Sequence, residues 1–147
     1  MDSGSFLIKK MSGTKVSDTN ATLALLVGGH SERMGRDKGL LPARGNPLVL
    51  HQILRLKPLF QDILIVCSSL EQKKQYEKIL NFPIVIDESG QDRAAYYGLI
   101  CALKNSSTEK VVVLPVDAIA VDIPLLKKLL SAQSFPAAYE EYPFPSV

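Results

Sequence analysis

The sequence predicts an α/β fold: a mainly parallel central sheet between helical layers, three layers (α/β/α) in all. Three observations lead there. Residues 22–27, 62–67 and 110–114 are nearly continuous apolar runs, as in strands buried on both faces of a parallel sheet. Stretches with apolar residues at helical spacing separate them. Strands alternating with amphipathic helices imply right-handed βαβ units and a sheet covered on both sides.

The bulk numbers agree. A chain of 147 residues is one domain, large enough to bury roughly 70% of the surface its unfolded form exposes. A composition of 46% hydrophobic and 22% charged residues is that of an ordinary globular protein. The net charge of +2 is too small to argue for nucleic acid or a membrane surface. Cys67 and Cys101 sit in apolar contexts without Cys-x-x-Cys spacing, which reads as two buried free thiols in a reducing compartment. No apolar stretch reaches the length of a membrane span, and the N-terminal apolar segment is too short for a signal peptide, so a cytoplasmic location is expected.

In chain order, residues 1–20 are rich in Ser, Thr, Asp and Lys without a sustained period, and read as a flexible N-terminal extension to a domain over 21–147. The first strand, residues 22–27, runs into a glycine pair. Pro47 then opens a helix whose buried face is Val49, Ile53 and Leu56; His51 within it is assigned no chemistry. Residues 62–67 form the second strand. Ser69-x-x-Gln72 has capping-box spacing, and the helix it starts is expected to pack Tyr76, Ile79 and Leu80 inward. A short strand at 84–86 ends at Asp87. A helix over about 93–103 should bury Tyr96, Ile100 and Leu103. The strand at 110–114 ends at Pro115-Val116-Asp117, and Asp122 caps a helix facing the sheet through Leu125, Leu126, Leu129 and Leu130. A last strand is possible at 137–140.

Function concentrates in residues 28–44. The glycine pair Gly28-Gly29 lets a ligand approach the main chain closely, and the loop beyond it carries Arg33, Arg36 and Lys38. From Gly28 to Arg44, four cations oppose two carboxylates, an excess equal to that of the whole chain. Bare N–H groups at a strand's carboxyl end beside flexible cations suit a polyphosphate. Two familiar phosphate loops are excluded: Gly35 is not followed by Lys-Ser/Thr, and adjacent Gly28 and Gly29 break Gly-x-Gly-x-x-Gly. Parallel sheets bind ligands outside the carboxyl ends of their strands. Gly28, Asp87 and Asp117 all follow strand ends, so they are expected on one rim.

The run Leu-Val-Gly-Gly-His-Ser-Glu-Arg-Met-Gly-Arg-Asp-Lys-Gly-Leu-Leu (residues 26–41), then Gly45-Asn46-Pro47-Leu48, resembles the nucleotide loop of molybdenum cofactor guanylyltransferases, with Val27 in place of the usual Ala. Sugar-phosphate nucleotidylyltransferases have a related loop but usually carry Pro-Lys where this chain has Asp37-Lys38. The resemblance implies a Rossmann-like nucleotidyltransferase fold and transfer of GMP from GTP to molybdopterin-bound molybdenum, with release of pyrophosphate. It implies catalytic roles for Lys38, Arg33 and Asp117. It places Leu26, Val27, Gly28, Gly29, Ser31, Arg33, Lys38, Asp87 and Asp117 at the nucleotide, with Mg²⁺ held by Asp117. Molybdoenzymes or cofactor-biosynthesis proteins are the implied protein partners. The physical case is that alignment and charge neutralisation do most of the work of such a transfer, and that Mg²⁺ takes one or two carboxylates plus phosphate oxygens.

Two departures stand against the family pattern. Ala94-Ala95-Tyr96-Tyr97-Gly98 replaces the usual Gly-Pro-Leu-x-Gly, and Asp117-Ala118-Ile119 replaces Asp-x-Pro. The family usually runs further at the C-terminus, with a segment on the pterin side, so the domain reads as C-terminally short. A cytidylyltransferase, another small-molecule nucleotidyltransferase of the superfamily, or a catalytically idle nucleotide-binding domain are the alternatives.

Overall fold

The computed structural model describes residues 6–9, 20–28, 37–87, 95–131 and 137–138. Its elements are β1 (Phe6–Lys9), β2 (Ala21–Leu26), a 3-10 turn at Lys38–Leu40, β3 (Pro42–Ala43), β4 (Asn46–Pro47), α1 (Leu48–Leu56), a second 3-10 turn at Lys57–Leu59, β5 (Asp62–Cys67), α2 (Leu70–Glu77), β6 (Ile84–Ile86), α3 (Ala95–Asn105), β7 (Lys110–Pro115), α4 (Ile123–Leu130) and β8 (Ala137–Ala138). The main sheet has the order β6-β5-β2-β7-β1-β8. β6, β5, β2 and β7 are mutually parallel, and β1 runs antiparallel to both of its neighbours.

Alternate residues along the strands separate two cores. Leu23, Leu25 and Val27 of the β2 segment, Ile63, Ile65 and Cys67 of β5, and Val112, Leu114 and Val116 of the β7 segment pack with α1, α2 and α4. Ala24, Leu64, Val66, Val111 and Val113 face the other way, against Cys101 and Ala102 of α3. The runs are apolar on both faces because both faces are covered. From β2 the chain moves through α1 to β5 and α2 to β6, then crosses by α3 to β7 on the far side of β2. Strand order therefore reverses between β2 and β7, where an open α/β sheet leaves a crevice.

Several expectations are corrected. Within the stretch read as an extension, Phe6–Lys9 is a strand in register with β7, Phe6 opposite Val113 and Lys9 opposite Lys110. The open edge of β7 supplies ladder partners that a short isolated apolar run cannot find for itself. Pro47 is the N-cap of α1 rather than its first residue. Ile79 lies beyond the end of α2 and is 40% exposed, while Tyr76 and Leu80 are buried as expected. In α3 the buried face is Gly98, Cys101 and Ala102, and Ile100 is 42% exposed. The helix sits close enough that a β-carbon at Gly98 would lie 3.0 Å from Leu26 Cδ2, so the small residues set its rotation. The side chain of Tyr96 lies outside the described residues. Both cysteines are buried and free, and Asp122 caps α4 through the Leu125 amide.

Candidate active site

The site forms at the carboxyl ends of the parallel strands. The Val116 amide donates to the Leu26 carbonyl at 3.0 Å, extending the β2–β7 pairing one step past β7. A turn closed by the Ala118 amide on the Pro115 carbonyl then presents Asp117 beside the β2 tip. Buried Gln52 of α1 fixes this turn from below, donating through Nε2 to the Val116 carbonyl at 3.1 Å. Arg55, one turn on, holds the Val121 carbonyl through Nη1 at 2.8 Å; burial lowers its basicity, partly offset by Asp122.

Lys38 arrives from the other side of the crevice. Its Nζ donates to Asp117 Oδ2 at 3.1 Å, joining residues 79 positions apart. Both side chains are about one-third exposed (34% and 28%), so the pair borders open space. The 3-10 turn that carries Lys38 is capped by Asp37, whose carboxylate accepts from the Gly39 amide at 3.1 Å. The chain then passes through a hairpin whose turn residues Arg44 and Gly45 both have positive φ (52° and 88°), the type I′ geometry for which Gly is favoured. That hairpin leads directly into α1.

The Asp37 carboxylate is held from α2 as well as by its own turn. Tyr76 Oη donates to its Oδ1 at 2.5 Å and Gln72 Nε2 donates to its Oδ2 at 2.6 Å. The same Gln72 amide group donates to the Val27 carbonyl at 2.9 Å, and its Oε1 accepts from the Ser68 amide at 3.0 Å. One buried side chain thus ties together the tips of β2 and β5 and the Lys38 turn. Burial first, then donation to Asp37, pushes the Tyr76 hydroxyl well above the usual phenol range, so it stays a donor at any physiological pH. Sequence reasoning missed Gln52, Gln72 and Tyr76: the first and last look like ordinary helix-face residues, and Gln72 signalled only a cap.

Of the expected site residues, Lys38 and Asp117 are in contact, and Gly28 lies on the same rim. Gly28 is half-buried against Ser68, where a β-carbon would meet Ser68 Oγ at 2.2 Å, so no side chain fits there without moving its neighbour. Val27 has a buried side chain, and its N–H and C=O are engaged by Val66 and Gln72. Leu26 lies partly buried against the α3 side and its carbonyl accepts from Val116. Asp87 ends β6, anchored by its amide on the Cys67 carbonyl at 2.8 Å. Its strand is three places from β7, roughly 14 Å at the usual strand spacing. That suits opposite ends of one extended ligand rather than two ligands of one ion. Gly29, Ser31 and Arg33 lie outside the described residues.

The donor set bears on a metal. Among the described residues no group of three or more His, Cys, Asp and Glu is gathered to cage an ion. A single partly exposed carboxylate, Asp117, fits a hard cation that reaches the site with phosphate oxygens and waters completing its shell. Also among the described residues, no helix is long and apolar enough to cross a membrane.

Comparison with known proteins gives the family and the fold likeness. The family profile described as MobA-like NTP transferase domain matches residues 23–143. A molybdenum cofactor guanylyltransferase of Ectopseudomonas mendocina (strain ymp) is 34% identical over 113 residues, 75% of this chain and 54% of the relative. One from Pseudomonas putida (strain GB-1) is 36% identical over 110 residues, 74% of this chain and 56% of the relative. A probable molybdenum cofactor guanylyltransferase of Aquifex aeolicus (strain VF5) is 34% identical over 123 residues, 84% of this chain and 54% of the relative. The chain spans about half the length of these curated relatives. The crystal structure of Rv0371c from Mycobacterium tuberculosis H37Rv superposes with a TM-score of 0.62 at 19% identity, covering 79% of this chain and 61% of that one, a likeness of fold.

Proposed function

The chain belongs to the MobA-like NTP transferase domain family, and from that premise we propose that it is a nucleotidyltransferase moving GMP from GTP onto molybdopterin-bound molybdenum cofactor. The observation that carries the proposal is the convergence of Lys38 and Asp117 at the reversal of strand order, 3.1 Å apart beside the Gly28 tip. A cation suited to phosphate and a carboxylate suited to a hard ion are held together there, both partly exposed. The choice of guanine and of a pterin acceptor is supported by the names of the curated relatives.

An acceptor oxygen attacks the α-phosphorus, the bond to the bridging oxygen breaks, and pyrophosphate leaves with the electron pair. Lys38 neutralises the phosphate oxygens as charge moves toward the leaving group, and Arg33 takes the β and γ groups. Asp117 would hold Mg²⁺, which when bound screens the phosphate charge from the incoming nucleophile. By the family resemblance, Asp87 would meet the base or ribose end, and Gly28, Gly29 and Ser31 the phosphates.

Isothermal titration of the protein with GTP, CTP and ATP, each with Mg²⁺, tests the reading. GTP is expected to bind most tightly, and pyrophosphate to be released only when molybdopterin is added. Preference for CTP would reassign the protein to a cytidylyltransferase. GTP binding without pyrophosphate release would leave an idle nucleotide-binding domain.

A further inference from the structure

The side chain nearest to Lys38 in the chain, Asp37, is held on both oxygens by the fold. Its two oxygens accept from the Gly39 amide, Tyr76 Oη and Gln72 Nε2. Gln72 and Tyr76 lie one turn apart on the same face of α2, both buried, and both reach the same carboxylate. Gly39 completes the contact: a β-carbon there would lie 2.1 Å from Tyr76 Oη, so the turn packs directly on the hydroxyl.

This arrangement is more specific than a core needs. A buried tyrosine could satisfy its hydroxyl at any carbonyl, and a capping Gln usually bonds the amide of its own cap residue. Here Tyr76 spends its one donor, and Gln72 one of its two, on the residue preceding Lys38. We propose that Tyr76 and Gln72 are positioning residues for the nucleotide, clamping Asp37 and thereby fixing where the Lys38 turn delivers its ammonium group. The inference rests on the reading of Lys38 as a phosphate ligand. Lys38 has a long flexible stem, and anchoring its backbone narrows the positions its charge can sample. The clamp also couples three pieces of rim, because Gln72 holds the Val27 carbonyl and the Ser68 amide at the same time.

Tyr76→Phe removes one oxygen and keeps the ring in the core, and a melting curve reads whether the fold survives. GTP affinity in the presence of Mg²⁺ is measured for the wild type, Tyr76→Phe, Lys38→Ala and the double variant. Tyr76→Phe is expected to weaken binding about three- to tenfold, part of what loss of a hydrogen bond to a charged group can transmit. In the Lys38→Ala background it is expected to have no further effect, because the clamp acts through that lysine. An equal loss in both backgrounds would make Tyr76 a general packing residue and overturn the proposal.

A second measurement needs no nucleotide. The rate at which an amine-acylating reagent modifies Lys38, relative to exposed Lys74, is read by mass spectrometry in the wild type, Tyr76→Phe and Gln72→Met. Release of the turn is expected to raise the Lys38 rate about threefold or more, the scale of a weakened hydrogen-bonded anchor; unchanged rates in both variants would sink the clamp. If wild type and Lys38→Ala bind GTP alike, or neither binds it, the functional reading fails, and the acylation rates still decide whether Tyr76 and Gln72 position Lys38.

Discussion

Two lysines at opposite ends of the same sheet show how the fold separates structure from chemistry. Lys110 begins β7 and is 4% exposed, with its Nζ donating to the Leu130 carbonyl at the end of α4. That carbonyl has no partner within its own helix, and a cation is favoured at a helix C-terminus. Lys38 sits at the carboxyl rim, is 34% exposed, and meets a carboxylate that is itself reachable from solvent. The same ammonium group serves as a cap where it is sealed in, and is available to an anion where its partner faces a cleft. Location relative to the strand ends, rather than residue type, distinguishes them.

The comparison breaks if the two substitutions act alike. The largest effect is expected from Lys110→Ala, which empties a buried site and strands the Leu130 carbonyl: a loss of about 2–4 kcal/mol in folding stability. Urea denaturation checks this, and GTP affinity of the folded variant should match wild type. Lys38→Ala should do the converse. Triphosphate binding is expected to weaken about 10- to 100-fold, the scale of a lost charge-assisted bond of roughly 1.5–3 kcal/mol. Its folding stability should change by no more than about 0.5 kcal/mol, since partly exposed ion pairs contribute little. A Lys38→Ala protein that melts early while binding GTP normally would reverse the assignment.

The division between the two ends was partly legible in the sequence. Three of the parallel strands, β2, β5 and β7, could be read because both faces are buried, which leaves runs such as Leu23-Ala24-Leu25 and Val111-Val112-Val113 without polar interruption. The carboxyl ends of the parallel strands then place Gly28, Asp87 and Asp117 on one rim; that Lys38 belongs with them rests on the resemblance of its loop, and the structure has it in contact with Asp117. The clamp was not legible. Tyr76 occupies a position whose helical spacing an apolar residue would satisfy as well, and its partner lies 39 positions away. Nor was the phase of α3, where close approach of Gly98 to Leu26 outweighs the larger apolar Ile100. Hydrophobic spacing reports which residues can be buried, and packing of small residues decides which are.

The last and smallest effect sharpens the same contrast through pH, because groups sealed into the fold report through stability. Cys67 is fully buried at the end of β5, and burial, only partly offset by a backbone hydrogen bond at Ser69, pushes its thiol from 9.0 up to about 11. In the unfolded chain the thiol ionises near pH 9, while the folded protein keeps its proton until about pH 11. Between those values the folded state binds more protons than the unfolded one, so stability falls as pH rises. The slope is about 1 kcal/mol per pH unit, and the contribution is fully present below pH 9. Tyr76, whose hydroxyl is also pushed up, adds a fall of the same sign above about pH 10. Urea midpoints measured at pH 8, 9, 10 and 11 should therefore decline progressively in the wild type. Cys67→Ala should remove the decline that begins near pH 9, whereas Tyr76→Phe should flatten only the part above pH 10. A Cys67→Ala profile that still falls from pH 9 would mean that another buried group carries the effect, and that the β5 tip is more open than its packing against Val85 and Ser69 implies.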